Sequence, residues 1–160
     1  MNKKIVENIL SINGSENDIE SICARVRSLN KNFDLDNIVD APTDLEDTVE
    51  TRIWKLNHWG TPENAFDVHV FEQDTNSARF EFCTEHSAPY IAIAELSAIY
   101  PDCDMTIISS FKDSDKYSDI KINFYDGKVE SISRLEWVED PYLQSIKKKY
   151  NTVIDGSRSE

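Results

Sequence analysis

The order in which two hydrophobic periodicities follow each other along this 160-residue chain constrains its fold most strongly. In residues 4–12, apolar side chains alternate with polar ones, which predicts a β-strand. In residues 15–30 they recur at spacings of three and four, which predicts an amphipathic helix with Ser15 as its N-cap. The apolar stripe of this helix consists of Ile19, Ile22, Val26 and Leu29.

A helical insertion is predicted next. Residues 31–42 have no regular pattern and indicate an irregular connector. Thr43 and Glu46 have the spacing of a capping box, in which each side chain bonds the other's backbone amide. We therefore expect a second helix at about 44–56, followed by a turn at Gly60. Its apolar residues, at spacings of four, four and three, are Leu45, Val49, Ile53 and Leu56.

The second half of the chain returns to strands. Two alternating runs at 66–71 and 78–84 flank a polar loop and predict a hairpin. Ser87 is the expected cap of a third helix that ends before Pro101. A short apolar strand is predicted at 105–110. A hairpin is predicted next: a strand with Ile120, Ile122 and Phe124, a turn at Asp126-Gly127, and a strand at 128–136. A final helix begins at Asp140-Pro141. Its apolar residues are Leu143, Ile146, Tyr150 and Val153.

Once the insertion at about 31–62 is removed, the order of the first elements is βαββαβ, a split βαβ arrangement. We therefore predict an α+β protein with a ferredoxin-like core, extended by a β-hairpin and a C-terminal helix. Residues 1–155 should form a single domain, because no linker or internal repeat interrupts them. Residues 156–160 are expected to be a disordered tail.

The charge balance limits the classes of partner. The chain carries 17 Lys and Arg against 30 Asp and Glu, a net charge of −13. Nucleic-acid binding is not expected, because phosphate contacts need clustered basic residues. No apolar stretch is long enough for a membrane span or a signal peptide, so a cytoplasmic location is expected. The acidic surface favours solubility or a basic protein partner, and exposed sheet edges would allow a homodimer.

Cysteine and histidine do not form a recognisable reactive motif. Cys23, Cys83 and Cys103 are isolated, which indicates free thiols rather than disulfides. Cys83 with His86 and His58 could in principle hold a metal or act in cysteine catalysis. No paired motif supports the first role and no group orients a histidine for the second, so we expect no metal, cofactor or catalytic residue.

Two polar segments, 57–64 and 82–89, flank the same predicted strand pair and could meet at its end. Trp59 offers a flat apolar surface between them. An alternative interpretation places Trp59 in the core and uses the hydroxyl groups as caps. The candidate binding surface consists of Trp59, Thr61, Asn64, Thr84, His86 and Ser87.

Four short motifs resemble the YubB ferredoxin-like domain family of bacterial plasmids and phages. Residues 7–14 (ENILSING) are similar to its opening strand, and 33–42 (FDLDNIVDAP) to its connector. Residues 57–61 (NHWGT) are close to the family's N-W-G-T-K-W core, and 82–89 (FCTEHSAP) to its F-x-T-A-W-S-P-P segment.

The chain departs from these motifs at two places. Pro62-Glu63 replaces the usual Lys-Trp, and His86 and Ala88 replace the usual Trp and first Pro. The resemblance implies a ferredoxin-like fold and a mobile-element origin, and it implies no particular reaction.

Three functions remain open at this stage. The first is a non-catalytic accessory protein of a mobile element that acts through protein–protein contact. The second is an acidic decoy that occupies a basic nucleic-acid-binding surface of another protein. This hypothesis rests on the net charge of −13. The third is a small enzyme or ligand-binding domain with a site near Trp59, Thr84 and His86.

Overall fold

The computed structural model describes residues 4–42, 48–113 and 116–138, which form one six-stranded sheet and three α-helices. A 3-10 turn, Leu35–Asn37, lies in the connector after the first helix. The elements in chain order are β1 (Ile5–Asn13), α1 (Glu16–Val26), α2 (Val49–His58), β2 (Phe66–Gln73), β3 (Ser77–Glu85), α3 (Tyr90–Ile99), β4 (Asp104–Asp113), β5 (Lys116–Tyr125) and β6 (Lys128–Val138).

The strands are arranged in the order β2-β3-β1-β4-β5-β6, and every neighbouring pair is antiparallel. The predicted α+β class is therefore confirmed. The predicted hairpin turn before β6 is also confirmed, because Asp126 and Gly127 both have positive φ, at 52° and 74°. Within the described ranges, no helix is both long enough and apolar enough to cross a membrane.

The core lies between one face of the sheet and the helices. In β1, Val6, Leu10 and Ile12 point to this face and are buried, as their alternation predicts. The ring of Phe33, from the connector, stacks on Phe82 of β3 at a centroid distance of 4.5 Å. The connector therefore covers part of the sheet at β3.

The first helix begins as predicted and ends early. The Ser15 hydroxyl accepts the Asp18 amide at 3.1 Å, which confirms the cap. The helix stops at Val26, whose carbonyl is taken by the amide of Asp34 at 2.7 Å as the chain turns into the connector. The prediction that the helix continues to about Asn30 is therefore wrong, and Leu29 is fully exposed.

The second helix is displaced toward the C-terminus. It spans Val49–His58 rather than 44–56, with Thr48 as its N-cap. Thr48 can take this role because its hydroxyl accepts the amide of Thr51 at 3.3 Å. The predicted capping box, Thr43 with Glu46, lies outside the described residues.

The third helix does not use the predicted cap. Pro89 is the residue before its first turn, and no side chain accepts a hydrogen bond there. The Ser87 hydroxyl instead donates to the carbonyl of Gly60 at 2.6 Å. Strands β2, β3, β4 and β6 extend up to three residues beyond their predicted bounds. The predicted C-terminal helix and tail lie outside the described residues.

Candidate functional site

Four of the six candidate binding residues, Trp59, Thr61, Thr84 and Ser87, lie together at the end of β3, and their polar side-chain atoms are used in internal hydrogen bonds. Trp59 is 2% exposed, and its Nε1 donates to the carbonyl of Val39 at 2.8 Å. The buried hydroxyl of Thr61 donates to the carbonyl of Glu85 at 2.8 Å. Thr84 is buried too, and its hydroxyl donates to the carbonyl of Ser87 at 2.8 Å. The Trp59 bond joins the end of α2 to the connector, the Thr61 bond joins the loop after α2 to the end of β3, and the Thr84 bond holds the loop before α3.

Asn64 and His86 lie apart from this buried group. The Asn64 side chain accepts the amide of Leu35 at 3.0 Å and donates to Asp34 at 2.7 Å, so it holds the connector. His86 is exposed and has a positive φ of 73°. Of the six predicted residues, His86 is the exposed one, and the binding surface stays a prediction.

Helix α2 presents its apolar stripe to solvent, which the sequence pattern did not indicate. A stripe of this spacing ordinarily faces the core. Val49, Ile53 and Leu56 are instead 73%, 51% and 39% exposed. The described part of the chain therefore shows three apolar side chains aligned on one exposed helix face, which we call the α2 stripe.

The opposite, more polar face of α2 holds the helix on the domain. Thr51 is buried on this face. Arg52 bonds Glu63 at 2.9 Å and Glu85 at 3.0 Å, and Lys55 lies 3.5 Å from Glu63. The helix cannot turn its stripe inward without breaking these contacts. These polar contacts, together with Trp54 packed against the core, hold the helix in this orientation.

A buried polar chain crosses the centre of the sheet. Asn8 is 2% exposed; its amide donates to the Thr84 hydroxyl at 3.0 Å and accepts from the Ser109 hydroxyl at 2.7 Å. The side chains of Thr84, Asn8 and Ser109 therefore link the three neighbouring strands β3, β1 and β4. Asn8 occupies an inward position of the β1 alternation, and this parity was a signal that sequence reasoning did not use.

The Tyr90 hydroxyl lies near the end of this chain. It is buried and makes no hydrogen bond within the described residues. Burial raises the pKa of Tyr90, while the nearby Ser109 hydroxyl and the positive charge of Arg134 act in the opposite direction.

A cavity of about 240 Å³ opens at the same end of the sheet, beside His86. Its lining combines basic and apolar side chains from β1 and the residue before it, from the loop after β3, and from β4, β5 and β6. The lining residues are Lys4, Ile5, Val6, His86, Phe111, Lys112, Ser118, Ile120 and Arg134.

Cys83 lies on the opposite face of the sheet and is partly buried. Burial raises the pKa of its thiol, and the negative charges of Asp67 and Glu7 raise it further. A nucleophilic cysteine needs the reverse, because the thiolate is the reactive form. His58, the first of the candidate bases, has its ring stacked on Trp54 at 4.2 Å.

We expect Cys83 to alkylate slowly. The labelling rate with iodoacetamide is measured against pH by mass spectrometry. The pH at which the rate is half-maximal should lie above 9.0, the pKa of an unperturbed thiol. A cysteine-containing peptide labelled in parallel is the control. Labelling of Cys83 at neutral pH faster than the peptide would contradict this expectation and would support a cysteine-based reaction.

No group of three potential metal ligands occurs among the residues described.

No family model and no curated protein matches the sequence. The fold of the chain is similar to that of a protein api92 from Yersinia pseudotuberculosis, whose crystal structure is described with the family model DUF1281. The TM-score is 0.48 and the sequence identity 16%. The similarity covers 68% of this chain and 40% of the other, so the chain spans less than half the length of api92.

Proposed function

We propose that this chain is a non-catalytic interaction domain, and that the α2 stripe inserts into an apolar groove on a partner protein. The observation that carries the proposal is the orientation of α2, whose polar face is anchored and whose apolar face is exposed. Exposed residues at i, i+4 and i+7 are the anchors by which amphipathic helices enter grooves.

The charge of the chain indicates what kind of partner fits. Glu50 is exposed on the same helix, and the whole chain carries a net charge of −13. A second copy would bring two strongly acidic chains together, which long-range repulsion disfavours. We therefore infer a partner whose apolar groove is rimmed by Lys and Arg, since complementary charge speeds encounter and orients the complex.

We also propose that β1–α1–β2–β3–α3–β4 is a ferredoxin-like core. The support is the strand order β2-β3-β1-β4 with antiparallel neighbours, in which α2 belongs to an insertion and β5–β6 extends the sheet. The four motifs similar to the YubB family support a cytoplasmic accessory role in a phage or plasmid. Mobile-element genes beside the coding sequence would agree with this origin.

Replacing Ile53 with glutamate should abolish partner capture. A charge at the centre of the stripe would have to be desolvated in the groove, so affinity should fall at least about tenfold. The measurement compares proteins retained from host lysate by the wild type and by Ile53→Glu. A retained protein is then purified, and its dissociation constant for both chains is measured by calorimetry.

Leu29→Glu is the matched control, because Leu29 is a fully exposed apolar residue outside α2. We expect it to bind like the wild type. Equal loss with both variants would assign the effect to added charge and contradict the proposal. Equal binding by all three chains, displaced by added DNA, would favour the acidic decoy instead.

A further inference from the structure

We propose that residues 139–155, which follow β6, pack against an apolar groove between α3 and β6. The groove lies on the inner face of the sheet, which is the face that carries the helices. One wall is the exposed side of α3, and the floor is the inner face of β6. This proposal concerns a different surface from the α2 stripe and does not depend on it.

Helix α3 is unusually apolar for a helix with one side in solvent. Of its ten residues, Glu95 is the only charged one. Its outward side carries Ile91, which is 45% exposed, the exposed Ala98 and the partly exposed Ala94. A helix that is apolar all round is ordinarily covered all round. The described part of the chain covers one side of α3, so we expect a further segment on the other.

The edge strand β6 exposes apolar side chains on the same face of the sheet. Ile132 pairs with Ile122, and Val129 pairs with Phe124. Both partners belong to the hydrophobic core, so Ile132 and Val129 point toward the helices. They are nevertheless 64% and 51% exposed. The described helices therefore leave the inner face of β6 largely uncovered.

Both ends of α3 lie near β6. The Ser97 hydroxyl accepts the amide of Gly127, in the turn before β6, at 3.0 Å. A Cβ added to Gly127 would lie 2.8 Å from the Cβ of Ala98. At the other end of the helix, burial raises the pKa of Tyr90, and the nearby charge of Arg134 on β6 opposes this shift. The apolar wall and the apolar floor therefore belong to one groove.

The segment after β6 begins beside this groove. Val138 is the last residue of β6, and the chain continues to Glu160. The strand from Ile132 to Val138 spans about 20 Å. A helix of residues 141–155 would be about 22 Å long. A helix that runs back along β6 would therefore reach over Ile132 without a long linker.

The segment has an apolar stripe that suits the groove. Its apolar residues, at spacings of three, four and three, are Leu143, Ile146, Tyr150 and Val153. Residues at these spacings share one side of a helix, and Lys148 falls on the opposite side. Docking would remove the stripe, Ile132 and the exposed side of α3 from water together.

Tethering favours this segment over a second copy of the chain. A segment joined to β6 is present at an effective concentration in the millimolar range, with no loss of translational freedom between molecules. A second copy would bring together two chains that each carry a net charge of −13, and long-range repulsion opposes this. The C-terminal segment is therefore the occupant that we propose.

The test is amide hydrogen exchange of the full chain, followed by mass spectrometry. We expect residues 142–153 to exchange at least about tenfold more slowly than in a synthetic peptide of residues 139–160. This protection should not change when the chain concentration is raised tenfold, because the contact lies within one molecule. Exchange at the peptide rate would overturn the proposal. Protection that rises with concentration would assign the groove to a second copy and would overturn it too.

Ile132→Glu identifies the face that the segment covers. Its carboxylate would have to be desolvated under the segment, so exchange of residues 142–153 should return to within about threefold of the peptide rate. Ser133→Glu is the matched control, because Ser133 is the exposed neighbour on β6 and pairs with Lys121 on the opposite face. This variant should exchange like the wild type. Equal loss in both variants, or loss in Ser133→Glu alone, would overturn the proposal.

Exchange of the β1 amides reports whether each variant is folded. If Ile132→Glu is unfolded, Ile132→Ala takes its place, since it adds no charge. It should speed the exchange of residues 142–153 by about threefold or more, and an unchanged rate would overturn the proposal. Ile53→Glu separates this inference from the α2 stripe: it should lose the partner protein and keep the protection of residues 142–153.

Discussion

Replacing Trp59 with alanine is expected to lower the free energy of unfolding by about 4 kcal/mol. The indole is 2% exposed and contacts Trp54 edge-on at 6.1 Å, with the Lys55 ammonium 5.6 Å from its ring. Alanine would leave a cavity where α2 meets the rest of the domain and would leave the Val39 carbonyl without its donor. The melting temperature should fall by roughly 8–16 °C, as measured by circular dichroism.

Trp59→Phe separates the two parts of this loss. It retains most of the ring and removes the Nε1 donor, so it should cost about 1–2 kcal/mol. A loss below about 1 kcal/mol for Trp59→Ala would show that the indole is not a core residue. The candidate binding surface would then gain support, because an exposed indole would be available to a ligand.

The second large effect is expected for Asn8→Asp, which should destabilise the fold by about 3–5 kcal/mol at pH 7. The Asn8 amide donates toward the carbonyls of Val6 and Phe82 as well as to Thr84. A carboxylate has no hydrogen to donate, so in this position one of its negatively charged oxygens would face those carbonyl oxygens. Burial should raise the pKa of the new carboxyl group. Its penalty therefore grows as pH rises above the unfolded value of about 3.9 and disappears below it.

Urea unfolding at pH 4 and pH 7 measures this difference, each time relative to the wild type at the same pH. Ser11→Asp is the control, because Ser11 lies on the outward face of β1 and is partly exposed. We expect this variant to lose less than about 1 kcal/mol at either pH. An equal deficit for Asn8→Asp at both pH values would show that lost packing, rather than buried charge, causes the destabilisation.

The sequence predicted the elements whose signals are local. Alternation located β1 and placed Val6, Leu10 and Ile12 inward, and Asp126-Gly127 located the last hairpin. Ser15 marked the start of α1 because a cap acts within one turn. The end of α1 was missed because it depends on Asp34, which takes the Val26 carbonyl from outside the helix.

The orientation of α2 could not be predicted from its own periodicity. A stripe of apolar residues defines a face, and contacts with distant residues decide which face is covered. Here Arg52 is bound by Glu85, a residue 33 positions away. The hydrogen bond between Asn8 and Ser109 likewise joins residues that are 101 positions apart in the sequence. The cavity lining, drawn from Lys4 to Arg134, has no local signal at all.

The sequence predicted which segments meet at the candidate site better than it predicted which of their side chains are exposed. The segments around Trp59 and Thr84 do meet, as the pairing of the two motifs suggested. Whether a hydroxyl faces solvent depends on which carbonyl needs a donor, as Thr61 and Ser87 illustrate with Glu85 and Gly60. Such needs arise only after the backbone has folded.

The irregular pairing of β2 bears on aggregation. Its register with β3 shifts twice, between Phe66 and His69 and between Val70 and Glu72, and Asp67 has a positive φ of 50°. Such bulges make an edge strand a poor template for another chain. The opposite edge, β6, carries exposed Lys128, Glu130, Arg134 and Glu136. Sheet-to-sheet growth is thus hindered by backbone shape at one edge and by charge at the other.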